Sequence, residues 1–341
     1  FHYRIPIFNI LSKRCDLTVA YCYGSDPSEF INFKTKRLTP SNIWRFTFQK
    51  ERIFNLCQQF DVVIAYGDIA WLNYSTLTFY TNRNFKLIFW GIGVSASYNK
   101  NFDSVKRWDN IRDFFYKKSD ALIFYSDYPI TKYILRGYNE DKLFVAHNTV
   151  MVYETKSNNR NRLLFIGTLY KEKGIEFLLH AYLKAYQENP EIPDLDIIGD
   201  GPFFDLIKKW VIDNSLCKKI ILHGSIFDRE QKSILFSHSI ACISPNQAGL
   251  GVLESMGYGT AFVTTKNAIT GGEIFNIVHN ETGILLNNES EIYDLIIDIV
   301  NNRTKYLKIG ENAKEFYEKN RTPIDMANSI FNAIKFVLLK E

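Results

Sequence analysis

The sequence predicts an α/β protein with two doubly wound domains. Short apolar segments of four to six residues alternate with helical stretches in both halves of the chain, and glycine-rich turns follow several of these segments. Such alternation implies a parallel sheet that is covered by helices on both faces. The length of 341 residues is sufficient for two domains that each bury a core of their own.

The first half begins with a helical pattern at residues 2–11, and we expect the strand that would precede this helix to lie upstream of the sequence. Pro129 and Gly137 indicate the start and the end of another helix over residues 129–136. The predicted strands of this half are 17–21, 62–66, 87–90, 121–125 and 144–146.

The second half follows the same plan, after a polar run at 154–162 that has the composition of a linker. An apolar stripe formed by Ile175, Leu178, Leu179 and Tyr182 predicts a helix between the first two strands. The predicted strands of this half are 163–166, 196–198, 220–222, 240–243, 261–265 and 284–286. The polar run therefore marks the boundary between two domains.

The composition excludes several classes of protein. A hydrophobic content of 46% with 23% charged residues is typical of a globular chain rather than a disordered one. No apolar run reaches the ~20 residues that a membrane-spanning helix needs. The five cysteines form no CxxC pair and the six histidines have no ligand spacing, so we expect no metal site and a reduced, cytoplasmic setting.

Positive charge is concentrated in the first half. Residues 1–150 contain 20 Lys and Arg against 13 Asp and Glu, whereas the remainder contains 21 against 24. A basic first half fits contact with the inner face of a membrane or with a phosphate-bearing acceptor, and equally fits scattered solubilising charge. The basic and aromatic segment 107–118 is compatible with a membrane-surface helix or with a core helix that has solvated lysine ends. Nucleic acid is not an expected partner.

The segment 244–265 carries the strongest functional signal. Strand 240–243 runs into a loop with Gly249 and Gly251, and a helix follows that is predicted to carry Glu254 in its first turn. Glycines before a helix let the backbone approach an anion, which the free N–H groups of the helix end attract. A carboxylate one turn further on can accept hydrogen bonds from the two hydroxyls of a ribose. The motif thus indicates a nucleotide site, although by itself it also fits a tight connection without a ligand.

This segment resembles the donor-site signature of family 4 glycosyltransferases of the GT-B fold, which reads Pro-Ser, Glu-Gly-Phe-Gly, Leu-Glu-Ala-Met and Gly-x-Pro-Val-Val. The corresponding residues are Gly249-Leu250-Gly251, Leu253-Glu254-Ser255-Met256 and Gly259-Thr260-Ala261-Phe262-Val263. A variant from bacterial polysaccharide clusters fits better and adds Gly271-Gly272-Glu273.

The resemblance implies two doubly wound Rossmann-like domains that face each other across a cleft. Residues 1–153 would form an N-terminal acceptor-binding domain, to which a C-terminal helix at 324–341 returns. Residues 154–323 would form the domain that binds a nucleotide-diphosphate sugar. This sugar would be a co-substrate, and the resemblance implies neither a cofactor nor a metal.

The resemblance also implies roles for individual residues. Lys173 corresponds to a lysine that neutralises the donor diphosphate, Glu254 to the ribose-binding glutamate, and Asn246 to a glutamate eight residues before it; these three are the predicted catalytic residues. The other predicted donor-binding residues are Gly167, Thr168, Gly224, Ile226, Gly249, Leu250 and Gly251. Of these, Gly224 and Ile226 correspond to the segment that contacts the nucleobase. The DxD sequence at Asp194 and Asp196, which other glycosyltransferases use to hold a metal, is interpreted as coincidence.

Three residues depart from the family pattern. Thr168 stands in place of an arginine, Asn246 in place of a glutamate, and Ile92 in place of a histidine in a Trp-Gly-His-Gly sequence. The predicted function is a metal-independent, retaining transfer of a sugar to a glycan or lipid-linked acceptor in cell-surface polysaccharide biosynthesis. The departures leave open a nucleotide-sugar-binding protein that has lost catalysis. A nucleotide-sugar epimerase of similar architecture is a third alternative.

Overall fold

The computed structural model describes residues 2–24, 26–27, 30–96, 102–104, 107–153 and 159–339. The chain divides into two compact units, Phe1–Thr149 with Thr322–Glu341, and Val150–Arg321. Residues 154–158 of the predicted linker lie outside the described residues.

The first unit contains a parallel sheet with helices packed on it. Its strands are β1 Thr18–Tyr21, β2 Lys34–Arg37, β3 Pro40–Ile43, β4 Phe46–Gln49, β5 Val62–Tyr66, β6 Lys86–Gly91, β7 Ala121–Phe124 and β8 Leu143–Val145. Its first helices are α1 Ile5–Leu11, α2 Ile53–Cys57, α3 Leu72–Ser75, α4 Asp109–Tyr116 and α5 Tyr128–Leu135. In the described part of this unit, β5, β6, β7 and β8 pair in chain order as one parallel sheet, while β1 pairs separately with β2. The predicted strands of this half are confirmed.

The antiparallel hairpin of β3 and β4 was not predicted from the sequence. A two-residue connection, Trp44 and Arg45, joins its strands, and Trp44 has a φ of 53°. Hairpin turns with positive φ normally carry glycine or asparagine. Because a tryptophan stands here, the sequence contains no recognisable turn signal.

Helix α4 packs as part of the first unit's core. The buried carboxylate of Asp109 lies 2.8 Å from both Arg112 and Lys132, and 3.0 Å from Arg136. Burial alone would raise the pKa of Asp109, but the hydrogen bond from Lys132 and the surrounding cations hold that pKa below its usual value. For segment 107–118 this network favours the core helix over the membrane-surface helix.

The second unit is doubly wound. Its strands are β9 Arg162–Ile166, β10 Asp194–Ile198, β11 Ile220–Gly224, β12 Ser239–Ile243, β13 Gln247–Ala248, β14 Ala261–Thr265, β15 Ile269–Thr270 and β16 Ile284–Leu286. Its helices are α6 Ile175–Glu188, α7 Phe204–Asp213, α8 Arg229–Ser237, α9 Leu250–Gly257, α10 Ile292–Asn301 and α11 Arg303–Asn320. The large sheet has the order β11-β10-β9-β12-β14-β16, and all of its pairs are parallel.

Both faces of this sheet are buried. Leu163 and Phe165 of β9 belong to one apolar core, and Leu164 between them belongs to another. Successive side chains of a strand point to opposite faces, so near-continuous apolar strands are expected where helices cover both sides. The predicted strands of the second half are confirmed, and the α/β class with them.

The last helix, α12 at Pro323–Leu339, belongs to the first unit, where it packs against α1, β5, β7 and β8. Thr322 and Asp325 form a capping box at its start, with the Asp325 carboxylate 2.9 Å from the Thr322 backbone nitrogen. Pro323 occupies the first helical position, where its missing N–H has no intrahelical partner to lose. Among the described residues, we find no helix that is long and apolar enough to cross a membrane.

Candidate active site

The strand order of the second unit reverses at β9. The sheet grows outward from β9 through β10 to β11, and then continues on the other side of β9 with β12. In doubly wound sheets, ligands bind outside the carboxyl ends of the strands at such a switch point. Gly167 follows β9 directly, and the loop with Asn246 and Gly249 follows β12. The structure therefore brings two of the predicted loops to the edge where a ligand is expected.

Lys173 ends a short 3-10 helix, and Gly174 turns the chain into α6 with a φ of 64°. The ammonium of Lys173 lies directly over Gly167, since a Cβ on that glycine would be 2.6 Å from Nζ. Lys173 forms no ion pair with an acidic side chain of the described residues. Burial lowers the pKa of Lys173 to about 8. A half-buried lysine without a counter-ion is suited to receive an anionic ligand.

Asn246 lies beside Lys173. Its backbone N–H donates to the Lys173 carbonyl at 3.3 Å. Its side chain covers Gly174, where a Cβ would come within 2.6 Å of the terminal amide group. Turned so that its nitrogen faces acceptors, the amide donates to Glu289 Oε1 at 2.6 Å and to the Pro245 carbonyl at 3.3 Å. The position that lacks a carboxylate in the sequence thus has a carboxylate next to it, supplied by the loop after β16.

Glu254 lies in the second turn of α9 rather than in the first as predicted, because the helix begins at Leu250 with Gly249 as its N-cap. Its carboxylate forms an ion pair of 2.7 Å with Lys232 of α8, and both side chains are less than one fifth exposed. Glu254 and Lys173 both act electrostatically on the thiol of Cys242, whose pKa is raised to about 12, mainly by burial. Both charged residues are therefore near enough to Cys242, at the carboxyl end of β12, to affect its pKa.

The remaining predicted donor-binding residues lie on the same edge of the sheet. Thr168 is exposed, next to Gly167. Gly224 ends β11 with a φ of 68°, and its carbonyl accepts the Gly199 N–H at 2.8 Å. Ile226 and Leu250 are half-buried against the core that contains Leu164.

The two carboxylates of the DxD sequence have protein partners. Arg162 contacts both Asp194 and Asp196, and the ring of His223 lies 2.7 Å from Asp196. Lys219 lies 3.2 Å from Asp194. Within the described residues, no group of three or more His, Cys, Asp or Glu side chains is arranged to hold a metal ion.

Two residues at this site were missed by reasoning from the sequence. Lys232 is one more lysine on an amphipathic helix, and Glu289 lies in a polar loop of Asn, Glu and Ser residues. Neither belongs to a motif, and each reaches the site only because the sheet brings distant loops together. No signal in a single sequence could have identified them.

Comparisons with known proteins agree with this architecture. Residues 151–316 match the family described as Glycosyl transferases group 1. One uncharacterized glycosyltransferase of Methanocaldococcus jannaschii is 27% identical over 203 residues, which cover 56% of this chain and 54% of the relative. A second one from the same organism is 30% identical over 200 residues, which cover 57% of this chain and 49% of the relative. The chain spans about half the length of these curated relatives.

A solved structure is similar over 97% of this chain. This chain superposes on the crystal structure of Anabaena HepE in complex with UDP and glucose with a TM-score of 0.73. The superposition covers 97% of this chain and 94% of the HepE chain, and the two sequences are 15% identical. At this identity the similarity is one of fold. The predicted fold class is confirmed: the chain has the GT-B fold, and its residues 151–316 match the Glycosyl transferases group 1 family.

Proposed function

We propose that this protein is a retaining glycosyltransferase of family 4 type that needs no metal and transfers a sugar from a nucleotide-diphosphate sugar to a glycan or lipid-linked acceptor. The observation that supports this most is the half-buried, unpaired Lys173 over Gly167, at the switch point of a doubly wound sheet. The match of residues 151–316 to Glycosyl transferases group 1 supports the same reaction. On the resemblance of its motifs, we assign the reaction to bacterial cell-surface polysaccharide synthesis in the cytoplasm.

In the proposed reaction, an acceptor hydroxyl oxygen forms a bond to the sugar C1 as the bond between C1 and the diphosphate breaks. Negative charge develops on the leaving diphosphate, which takes up the proton of the acceptor hydroxyl. The ammonium of Lys173 and the free N–H groups at the start of α9, around Leu250 and Gly251, stabilise this charge. Such stabilisation is usually the largest catalytic term, and it is strong where water is excluded. Glu254 accepts hydrogen bonds from the ribose, and the backbone at Gly224 contacts the base. Before the nucleotide binds, the ion pair with Lys232 orients the Glu254 carboxylate.

The carboxylate of Glu289 favours a transferase over the alternative of a binding protein that has lost catalysis. An amide at position 246 cannot stabilise positive charge on the sugar ring. The Glu289 carboxylate, 2.6 Å from that amide, adds negative charge to the same place. The pair of Asn246 and Glu289 would then act together where the family has one glutamate.

The first experiment is a thermal-shift panel with UDP, GDP, ADP, CDP and dTDP. Because a ligand that binds only the folded state raises the melting temperature, one of these nucleotides is expected to produce a shift that grows with its concentration. UDP is the first choice, since HepE was crystallised with it. The second experiment follows release of UDP from UDP-glucose with and without a glycan acceptor. Acceptor-dependent release supports a transferase, whereas nucleotide binding without release supports the binding protein. A panel without any shift would contradict both.

A further inference from the structure

The first unit, in which the acceptor was expected to bind, contains a cavity whose ligand has not yet been specified. Its volume is about 410 Å³, and it lies outside the carboxyl ends of β5 and β6. Pockets for small ligands commonly have this size, and this edge of a parallel sheet is where they form. The side chains that matter for its chemistry are Arg45, Tyr66, Ile92, Arg107, Trp108 and Arg112.

The floor of this cavity is backbone that cannot carry side chains. A Cβ on Gly67 would lie 2.4 Å from the Tyr116 hydroxyl oxygen, and one on Gly93 would lie 2.6 Å from the ring of Phe124. Gly93 also has a φ of 78°. The hydroxyl of Tyr116 donates to the Gly67 carbonyl, and that of Tyr133 donates to the Gly93 carbonyl at 2.8 Å. Because hydrogen bonds from these two buried tyrosines fix both turns, the cavity is preformed.

The walls of the cavity carry an excess of positive charge. Arg112 is neutralised by Asp109 at 2.8 Å, but Arg45 and Arg107 form no ion pair with a described acidic side chain. Both guanidinium groups are instead close to one ring, with their central carbons 4.8 Å and 5.7 Å from the centre of Trp108. Asp68 is the only acidic residue among those described as lining the cavity, and it accepts the Ala70 N–H at 2.9 Å.

The backbone next to Arg45 is strained. Arg45 is the second residue of the hairpin connection, after Trp44 with its φ of 53°. A bulky side chain at positive φ is strained, and such strain persists where the surrounding structure fixes the backbone. The hairpin thus holds a charged group at the rim of the cavity.

We propose that this cavity binds the acceptor and selects a saccharide that carries an anionic group, either a carboxylate or a phosphate. The inference rests on the proposed glycosyltransferase function. The planar fork of a guanidinium pairs with two oxygens of a carboxylate or phosphate at once. Trp108 positions the two guanidinium groups, the exposed Tyr66 ring offers an apolar face to a sugar ring, and Ile92 adds apolar surface where the family has a histidine. The cavity therefore has the polar and apolar elements that a charged sugar requires.

Binding of matched probes to the full chain tests this proposal. Methyl β-D-glucuronide and methyl β-D-glucoside differ in a carboxylate, and glucose 1-phosphate supplies the phosphate alternative. Calorimetric titration is expected to show at least tenfold tighter binding of one anionic probe than of the neutral one. Arg45→Gln should remove about tenfold of that affinity and leave binding of the glucoside unchanged. Arg37→Gln is the matched control, since this arginine is exposed and does not line the cavity. The anionic probe that binds more tightly shows whether the cavity selects a carboxylate or a phosphate.

Three results would overturn the proposal. The three probes could bind equally well, none of them could bind, or the anionic probe could bind with the same affinity to the Arg45→Gln and Arg37→Gln variants. UDP binding, measured separately in the same variants, should stay at the wild-type value. If the wild-type protein binds none of the five nucleoside diphosphates of the panel, the proposed function itself would instead be refuted.

Discussion

The pKa of Lys173 predicts how nucleotide binding depends on pH. Burial lowers this pKa from 10.5 to about 8, so the unliganded site loses its positive charge in mildly alkaline solution. A bound diphosphate favours the charged ammonium, because an opposite charge nearby raises the pKa of a lysine. Binding at high pH must therefore include the uptake of a proton, which weakens the observed affinity.

The magnitude follows from the fraction of charged lysine. With a pKa of about 8, roughly nine tenths of the Lys173 side chains are protonated at pH 7 and roughly one tenth at pH 9. The dissociation constant for the diphosphate should therefore rise about tenfold between these two values, as long as the lysine stays charged in the complex.

Titration calorimetry with UDP, or with the best diphosphate from the panel, measures this change in three variants. Lys173→Arg should bind with little dependence on pH, because a guanidinium stays charged at pH 9. Lys173→Gln should bind weakly at both pH values. Lys171→Gln is the control, since it removes an exposed lysine from the same short helix and should keep the wild-type profile. Changes in the ionisation of the ligand affect all proteins equally. An equal slope in wild-type and Lys173→Gln proteins would refute the reasoning.

The remaining predictions concern the same site. The pKa of Lys173 is lower in the folded protein than in the unfolded chain, so the unfolded chain binds more protons between pH 8 and 10.5. The free energy of unfolding of the unliganded protein should therefore rise with pH over that window. Thermal melts should show this rise in the wild type but not in Lys173→Gln, and this variant should be more stable than the wild type at pH 7. Glu254→Ala should weaken diphosphate binding by about 2–3 kcal/mol in calorimetry, the scale of charge-assisted hydrogen bonds, and wild-type affinity would contradict the ribose assignment. Glu289→Gln should lower the rate of UDP release from UDP-glucose at least tenfold with little change in UDP affinity, whereas the exposed Glu281→Gln should leave both unchanged. Asn246→Glu should fold, as judged by circular dichroism and a cooperative melt, and an unfolded product would mean that this position belongs to the core.

The sequence was sufficient for the parts of the fold that depend on periodicity. Both parallel sheets were predicted from short apolar runs that alternate with helical segments. A strand that is buried on both faces is apolar along its whole length, so it can be recognised from a few consecutive residues. The hairpin before Arg45 was not predicted, because its turn carries a tryptophan instead of glycine or asparagine.

The candidate site could be predicted only where its residues lie in one continuous motif. Lys173 and Glu254 were identified in this way. Glu289 and Lys232 contact the predicted residues through side chains from other loops, so their positions depend on tertiary packing. The ion pair with Lys232 keeps the Glu254 side chain largely buried, with an exposed fraction of 13%.

Amide hydrogen exchange of the full chain, with and without the diphosphate that gives the largest thermal shift, tests the central claim most directly. Residues 165–175 and 245–255 contain the loops after β9 and β12 and the start of α9. If the nucleotide binds at the switch point of the second unit, these two segments should exchange more slowly in its presence, and the Lys173→Gln variant should lose this protection at the same ligand concentration. Unchanged exchange in both segments, together with protection elsewhere in the chain, would contradict the account.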